Sequence, residues 1–171
     1  MNRIGSTDIV GWILFVSGII CIVFSICYQR EAETPKGYTY LGQLEIPRIE
    51  VTLPIYEGVT EHVLENGVGH IEVSSAFGSG RGSLCLLAGH RGLPNQTLLI
   101  RLGELQIGDN FYIEGKQKYS YRVCDIQVIR PEDANGLKVE KEKELVSLIT
   151  CTPIGINTHR LVVTGERIRM E

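Results

Sequence analysis

The sequence lacks the patterns that mark several protein classes. Its 171 residues include only five cysteines, and no Cys-x-x-Cys or cysteine–histidine spacing indicates a metal site. Neither sign of charge dominates, because 17 basic side chains face 20 acidic ones for a net charge of −3. This balance implies no affinity for polyanions, and no basic patch indicates nucleic-acid binding. The length is sufficient for one compact domain.

One long apolar run stands out against this average composition. Residues 9–28 form a 20-residue stretch without a charge, long enough to cross the roughly 30 Å hydrocarbon core of a bilayer as a helix. A cleaved signal peptide needs a shorter apolar core and a small-residue cleavage site, and neither is present. A lipoprotein signal needs a small residue just before the modified cysteine, but Cys21 and Cys27 both follow isoleucine. We therefore expect residues 1–8, a retained transmembrane anchor at 9–28, a polar tether at 29–39 and a folded domain at 40–171.

Short β-type runs separated by glycine, proline and asparagine turns dominate the folded domain. The predicted strands are residues 38–46, 51–55, 83–88, 111–114, 119–129, 146–151 and 160–168. Thr60 is a candidate N-cap for a short helix at 61–65, and residues 95–102 also carry helical spacing. Residues 115–117 separate two alternating runs, as in a hairpin turn. Seven or eight strands in a domain of this size predict a mainly β fold with a closed or nearly closed barrel.

Three residues at strand ends carry chemistry. Cys151 ends an apolar strand just before Pro153, which cannot continue a ladder. A thiol needs a nearby cation or base to act as a nucleophile at neutral pH. Arg160 begins the next strand, so the returning loop can place a guanidinium, suited to holding an oxyanion, beside the sulfur. His90, flanked by glycine and arginine after another strand, is the candidate proton donor and acceptor.

The remaining cysteines and histidines of the domain have structural interpretations. Cys85 and Cys124 lie inside β-type runs, where cysteine usually acts as a small buried hydrophobe. His62 falls within the short predicted helix, and His70 follows a glycine-rich segment. His159 adjoins Arg160, but alternation along a strand would point these two side chains to opposite faces. The alternative interpretation of Arg160 is a solvated arginine on the strand surface, because such arginines are common.

Two segments around these residues resemble the signature segments of the sortases. They are residues 88–94 (AGHRGLP) and 150–163 (TCTPIGINTHRLVV), and the resemblance is closest to the class C, pilin-polymerising branch. Residues 44–49, 53–56 and 67–70 resemble framework segments of the same family in the same order. The resemblance covers about residues 40 to 168, essentially the whole folded domain.

This resemblance implies a Gram-positive surface transpeptidase on an eight-stranded β-barrel. The barrel would lie outside the cell, with residues 1–8 in the cytoplasm and one span in the membrane. By resemblance, Cys151 is the nucleophile, His90 the acid and base, and Arg160 the group that stabilises the oxyanion. The substrate would be an LPxTG-like sorting signal, and the acceptor an amine from a pilin lysine or a cell-wall cross-bridge. No metal or organic cofactor is implied.

Other functions remain open from the residues. A membrane-tethered cysteine protease would use the same three groups and discharge its intermediate to water. A non-enzymatic surface β-domain would leave Cys151 buried and unreactive. Class C enzymes usually carry a lid with an Asp-Pro-aromatic motif, which residues 29–40 do not contain, so an open cleft is expected.

Overall fold

A closed barrel of eight strands forms the folded domain. The computed structural model describes residues 37–92, 98–133 and 137–168. The strands are β1 (Tyr40–Ile46), β2 (Val51–Glu57), β3 (Val68–His70), β4 (Ser83–Gly89), β5 (Asn110–Glu114), β6 (Lys118–Ile129), β7 (Glu144–Thr152) and β8 (His159–Ile168). They are ordered β1-β2-β3-β4-β7-β8-β6-β5, and pairing of β1 with β5 closes the barrel. Closure leaves no sheet edge unpaired.

The transmembrane prediction lies outside this part of the chain. The predicted span at residues 9–28 is not among the described residues. Within the described ranges, no helix has the length and apolar character needed to cross a bilayer. The compact unit that contains the barrel begins at Gly37.

Two parallel strand pairings determine which strand ends lie next to each other. Most neighbouring strands are antiparallel, but β2 pairs with β3 and β4 with β7 in parallel. Parallel neighbours bring their carboxyl ends to the same edge of a sheet. The residues that follow β4 and the last residues of β7 therefore lie side by side, which places His90 and Cys151 at one edge of the barrel.

The predicted strands are all present, with bounds that differ by at most two residues from those expected. The hairpin is also confirmed, because Glu114 pairs with Lys118 across the predicted turn. The sequence missed β3 (Val68–His70), a three-residue strand held between β2 and β4. Three residues are too few to show an alternating pattern, so only the pairing partners reveal this strand.

One of the two predicted helices is confirmed. Helix α1 (Glu61–Asn66) begins after Thr60, whose hydroxyl accepts a 3.4 Å hydrogen bond from the backbone of the third helical residue. The helix predicted at 95–102 is wrong over its described part, because residues 98–101 form turns and Leu102–Glu104 is a single 3-10 turn. The leucines there are buried. Their spacing of three and four residues lets them pack against the core. The same spacing occurs along one face of a helix, which is why the sequence predicted one here.

The barrel interior is filled by aliphatic side chains and two stacked aromatic rings. The rings of Phe111 and Tyr121 stack with centroids 5.4 Å apart, and both side chains are fully buried. Gly165 on β8 lies against them, so an added Cβ would overlap the Phe111 ring and approach Tyr121 to 3.2 Å. A side chain at this position has no room without displacement of the ring pair.

Gly165→Ala is therefore expected to destabilise the barrel. Overpacking of a filled core costs about 1–3 kcal/mol, equivalent to a fall of about 5–10 °C in the melting temperature. Thermal unfolding of the full chain followed by circular dichroism measures this shift. Thr52→Ala on the exposed side of β2 is the control and should melt within about 2 °C of the wild type. An unchanged melting temperature for Gly165→Ala would show that the Phe111 ring moves without cost.

Candidate active site

Cys151 and Arg160 face each other across two antiparallel strands. Cys151 is the last residue but one of β7, and its register partner on β8 is Arg160. Directly opposed residues of an antiparallel pair project to the same face. Leu148 and Leu161 belong to the inner face and fill the core, so alternation places Cys151 and Arg160 on the outer face. Both residues are partly exposed there.

The guanidinium of Arg160 is anchored to the loop between β7 and β8. Its Nη1 donates to the backbone oxygens of Asn157 (3.1 Å) and His159 (3.0 Å). Asn157 adopts a left-handed conformation with φ of 61°, which shapes the loop that returns to β8. Within residues 37–92, 98–133 and 137–168, Arg160 pairs with no carboxylate. Among these residues, its positive charge is therefore not neutralised by a carboxylate.

Hydrogen bonds made by the residues on either side of His90 hold it beside Cys151. The register of β4 with β7 ends at Ala88 opposite Ile149, and two further residues along each strand bring His90 beside Cys151. The hydroxyl of Thr150 donates to the oxygen of Gly89 (2.8 Å). On the other side, Nη1 of Arg91 donates to the oxygen of Cys151 (3.1 Å). The predicted trio of cysteine, histidine and arginine thus meets at one edge of the barrel.

A carboxylate contacts the imidazole from outside the strands. Nε2 of His90 lies 3.2 Å from Oε1 of Glu61, the first residue of α1. The His90 side chain is 25% exposed and the Glu61 side chain 75%, so the contact sits at the rim of the site. The sequence alone singled out neither Glu61 nor Arg91. The adjacency of Arg91 to His90 was the available signal for the second, whereas Glu61 is brought in only by the fold.

The side chains of the other three histidines contact groups outside the trio of Cys151, His90 and Arg160. His70 is 5% exposed, and its Nδ1 is 2.8 Å from Oε1 of Glu57, which confirms the structural interpretation. His159 occupies the strand face opposite to that of Arg160, as alternation predicts, and its Nδ1 lies 2.9 Å from the hydroxyl of Thr158. His62 is in α1 and stacks on a tyrosine ring. Among the described residues, no group of three histidine, cysteine, aspartate or glutamate side chains is arranged to hold a metal ion.

Comparison with known proteins identifies the family. A family model described as "Sortase domain" matches residues 44–168. The chain belongs to the sortase family. This sortase is similar to Sortase D of Bacillus subtilis (strain 168), with 33% identity over 131 residues that cover 74% of this chain and 63% of that relative. It thus spans less than two thirds of that relative's length.

Solved structures to which this chain is similar include class C sortases. Sortase C1 of pilus island 1 of group B Streptococcus has 43% identity and a TM-score of 0.73, covering 76% of this chain and 64% of that one. Sortase C1 of Streptococcus suis has 41% identity and a TM-score of 0.75, covering 78% and 75%. These identities confirm the resemblance to the class C sortases.

The two other cysteines of the sortase barrel differ from each other. Cys85 is 1% exposed in the core, as predicted, and burial raises the pKa of its thiol to about 12. The prediction that Cys124 is buried is wrong, because its side chain is exposed. Tyr121 and Val123 of β6 fill the core, so alternation places Cys124 on the outer face, where its thiol donates to the oxygen of Thr164 (3.4 Å). The register of β6 with β8 also shifts here, between Val123 and Asp125.

We expect this difference to appear in thiol reactivity. At pH 8 a thiol with a pKa of about 12 is ionised in only about one molecule in 10⁴, so Cys85 should resist iodoacetamide in the native sortase. Cys124 is accessible, although partial burial and then the Glu166 carboxylate raise its pKa, and it should react at least about 100 times faster. Peptide mass mapping of the full chain measures both rates.

Unfolded protein in denaturant is the control for this comparison, because both thiols should then react at similar rates. Equal rates in the native sortase would contradict the buried position of Cys85 and would mean that β4 opens readily.

Proposed function

We propose that this sortase is a membrane-anchored cysteine transpeptidase that cleaves an LPxTG-like sorting signal and transfers the acyl group to an amine. The observation that carries the proposal is the pairing of Cys151 with Arg160, with His90 held at the same barrel edge. A nucleophile, a proton carrier and an uncompensated cation are the groups that acyl transfer requires.

In the acylation step, Cys151 attacks the carbonyl carbon of the threonine in the sorting signal as the thiolate. The carbonyl oxygen becomes an oxyanion, and the guanidinium of Arg160 donates to it. The intermediate then collapses, the carbon–nitrogen bond to the following glycine breaks, and His90 supplies the proton for the leaving amine. The thioester on Cys151 retains the upstream part of the substrate.

In the second step, an amine attacks the thioester carbon. His90 accepts the proton that the amine loses, Arg160 again holds the oxyanion, and the thiolate of Cys151 leaves. A new amide bond forms, so the peptide bond that was broken is replaced with no net hydrolysis. The same intermediate attacked by water would release a free acid, so the outcome depends on which nucleophile reaches the thioester first.

The site of action follows from the anchor proposed at residues 9–28. The long uncharged run there supports a single span, with residues 1–8 in the cytoplasm and the barrel outside the cell. A barrel tethered in this way can meet surface proteins as they leave the membrane. The sortase would then act at the cell membrane on proteins that carry a sorting signal.

We further propose that the acceptor amine belongs to a pilin lysine, which would make this sortase a pilus-assembling enzyme. The support comes from its likeness to sortase C1 of a streptococcal pilus island, at 43% identity. Anchoring of surface proteins to the amine of a cell-wall cross-bridge uses the same chemistry, and only the acceptor distinguishes the two roles.

Intact mass spectrometry of the purified full chain tests the transpeptidase proposal. The sortase is incubated with an LPxTG peptide, first alone and then with a lysine-containing pilin-type peptide or a glycine oligomer. We expect an acyl adduct on the protein that amines discharge to an amide product. Discharge mainly to the free acid would favour the protease function. No adduct and no alkylation of Cys151 by iodoacetamide would instead support a non-enzymatic surface domain.

A further inference from the structure

Arg91 joins the loop that carries His90 to the backbone of the nucleophile. Its Nη1 donates to the backbone oxygen of Cys151 at 3.1 Å, and its Nε donates to the backbone oxygen of Ile100 at 3.3 Å. The residue is partly buried, and in the described ranges of the chain it pairs with no carboxylate. Both of its bonds therefore serve to hold backbone segments.

The bond to Cys151 lies where the strand ladder has ended. The backbone pairing of β4 with β7 stops at Ala88 and Ile149, two residues before the nucleophile. Beyond this point the structure links the two chain segments by side chains, first Thr150 to Gly89 and then Arg91 to Cys151. The guanidinium thus extends the link between β4 and β7 as far as Cys151.

We propose that Arg91 is a positioning residue that fixes Cys151 against His90 through the cysteine carbonyl. The inference rests on the proposed function, in which Cys151 attacks the substrate carbonyl and His90 carries the proton to and from the amine. Because Arg91 follows His90 directly in the chain, its bond to the carbonyl of Cys151 ties the base to the nucleophile. A displacement of about 1 Å between reacting groups can cost about 100-fold in rate, so such a link matters to the chemistry.

Arginine is specifically suited to this position. Its planar fork presents separate donors at fixed angles, and here they reach the carbonyls of Ile100 and Cys151 together. The guanidinium of Arg91 is also closely packed against Gly103, where an added Cβ would lie 3.3 Å from Nη2. Lysine keeps the charge, but its single ammonium on a flexible stem cannot replace both bonds with the same geometry.

A double-mutant cycle on the alkylation of Cys151 tests the proposal without any substrate peptide. Rates with iodoacetamide at pH 7 are measured by peptide mass mapping for wild-type full chain, Arg91→Gln, His90→Ala and the double variant. We expect each single variant to react about tenfold more slowly, because each breaks the same pair. The double variant should lose less than about threefold more, since the pair is already uncoupled.

Arg91→Lys and Arg101→Gln complete the design. Arg91→Lys should recover less than half of the lost rate, because charge alone does not position the carbonyl. Arg101 also donates to a backbone carbonyl, that of Ile49 at 3.2 Å, but outside the site. Arg101→Gln should therefore alkylate at the wild-type rate, even where it melts at a lower temperature than the wild type.

Several results would overturn the role of Arg91. These are additive losses in the cycle, full rescue by lysine, no effect of His90→Ala on alkylation, or a loss that Arg101→Gln reproduces. A different result would contradict the proposed function: the wild type would form no acyl adduct with LPxTG peptides, although iodoacetamide still alkylates Cys151. The cycle decides the role of Arg91 in either case.

Discussion

Replacing Cys151 by alanine is expected to abolish formation of the acyl adduct and of the amide product. No other thiol of the barrel can take over, because Cys85 is sealed in the core and Cys124 lies on a different strand. Loss of a catalytic nucleophile costs about 10⁴-fold or more in rate, which puts the product below detection. Intact mass spectrometry and chromatography of the peptide products measure the loss.

Cys124→Ala is the matched control for this experiment. It removes an exposed thiol from the same barrel without touching β7, and it should retain full acyl transfer and the wild-type melting temperature. An adduct that persists in Cys151→Ala and disappears in Cys124→Ala would refute the assignment of the nucleophile. Cys151→Ala should itself fold normally, because the side chain is only partly buried at the barrel edge.

Arg160→Gln is expected to slow acylation by about 100- to 1,000-fold. The variant keeps hydrogen-bonding capacity but removes the positive charge where the oxyanion develops, and loss of one such interaction costs about that factor. The rate of adduct formation at saturating peptide measures the effect, which should fall mainly on the turnover rate. Alkylation of Cys151 by iodoacetamide forms no oxyanion, so it should change by less than about threefold.

The Arg160→Lys variant tests whether the positive charge alone is sufficient or whether the geometry of the guanidinium is also needed. Arg160→Lys should recover at most about tenfold, since a single ammonium cannot bond to the loop carbonyls of Asn157 and His159 while reaching the oxyanion. Arg122→Gln on β6 is the control, because that side chain donates to the side-chain oxygen of Asn110, at 3.5 Å, outside the site. Equal acylation by Arg160→Gln and the wild type would exclude Arg160 from the reaction.

The two sets of variants distinguish two ways in which an arginine can act at the same thiol. Arg160 is proposed to contact the reacting oxygen, so its loss should spare alkylation. Arg91 donates to the backbone oxygens of Ile100 and Cys151, and its loss should slow both alkylation and acylation. Comparing both rates in both variants therefore separates stabilisation of the transition state from positioning of the nucleophile.

Local patterns were sufficient for much of the fold and for the chemistry-bearing residues. Alternation and turn residues placed seven strands to within two residues, and Thr60 marked the start of α1. These features depend on neighbours within a few positions along the chain, which the sequence displays directly. Resemblance to the sortases then selected Cys151, His90 and Arg160, and the structure brings all three to one barrel edge.

Tertiary structure alone decided the remaining features. The strand β3 exists because β2 and β4 flank it, and the register of β6 with β8 shifts between Val123 and Asp125. The contacts of Glu61 with His90 and of Arg91 with Cys151 join residues 29 and 60 positions apart. Such contacts depend on how distant segments are packed and registered, and the one local sign of them in the sequence is the adjacency of Arg91 to His90.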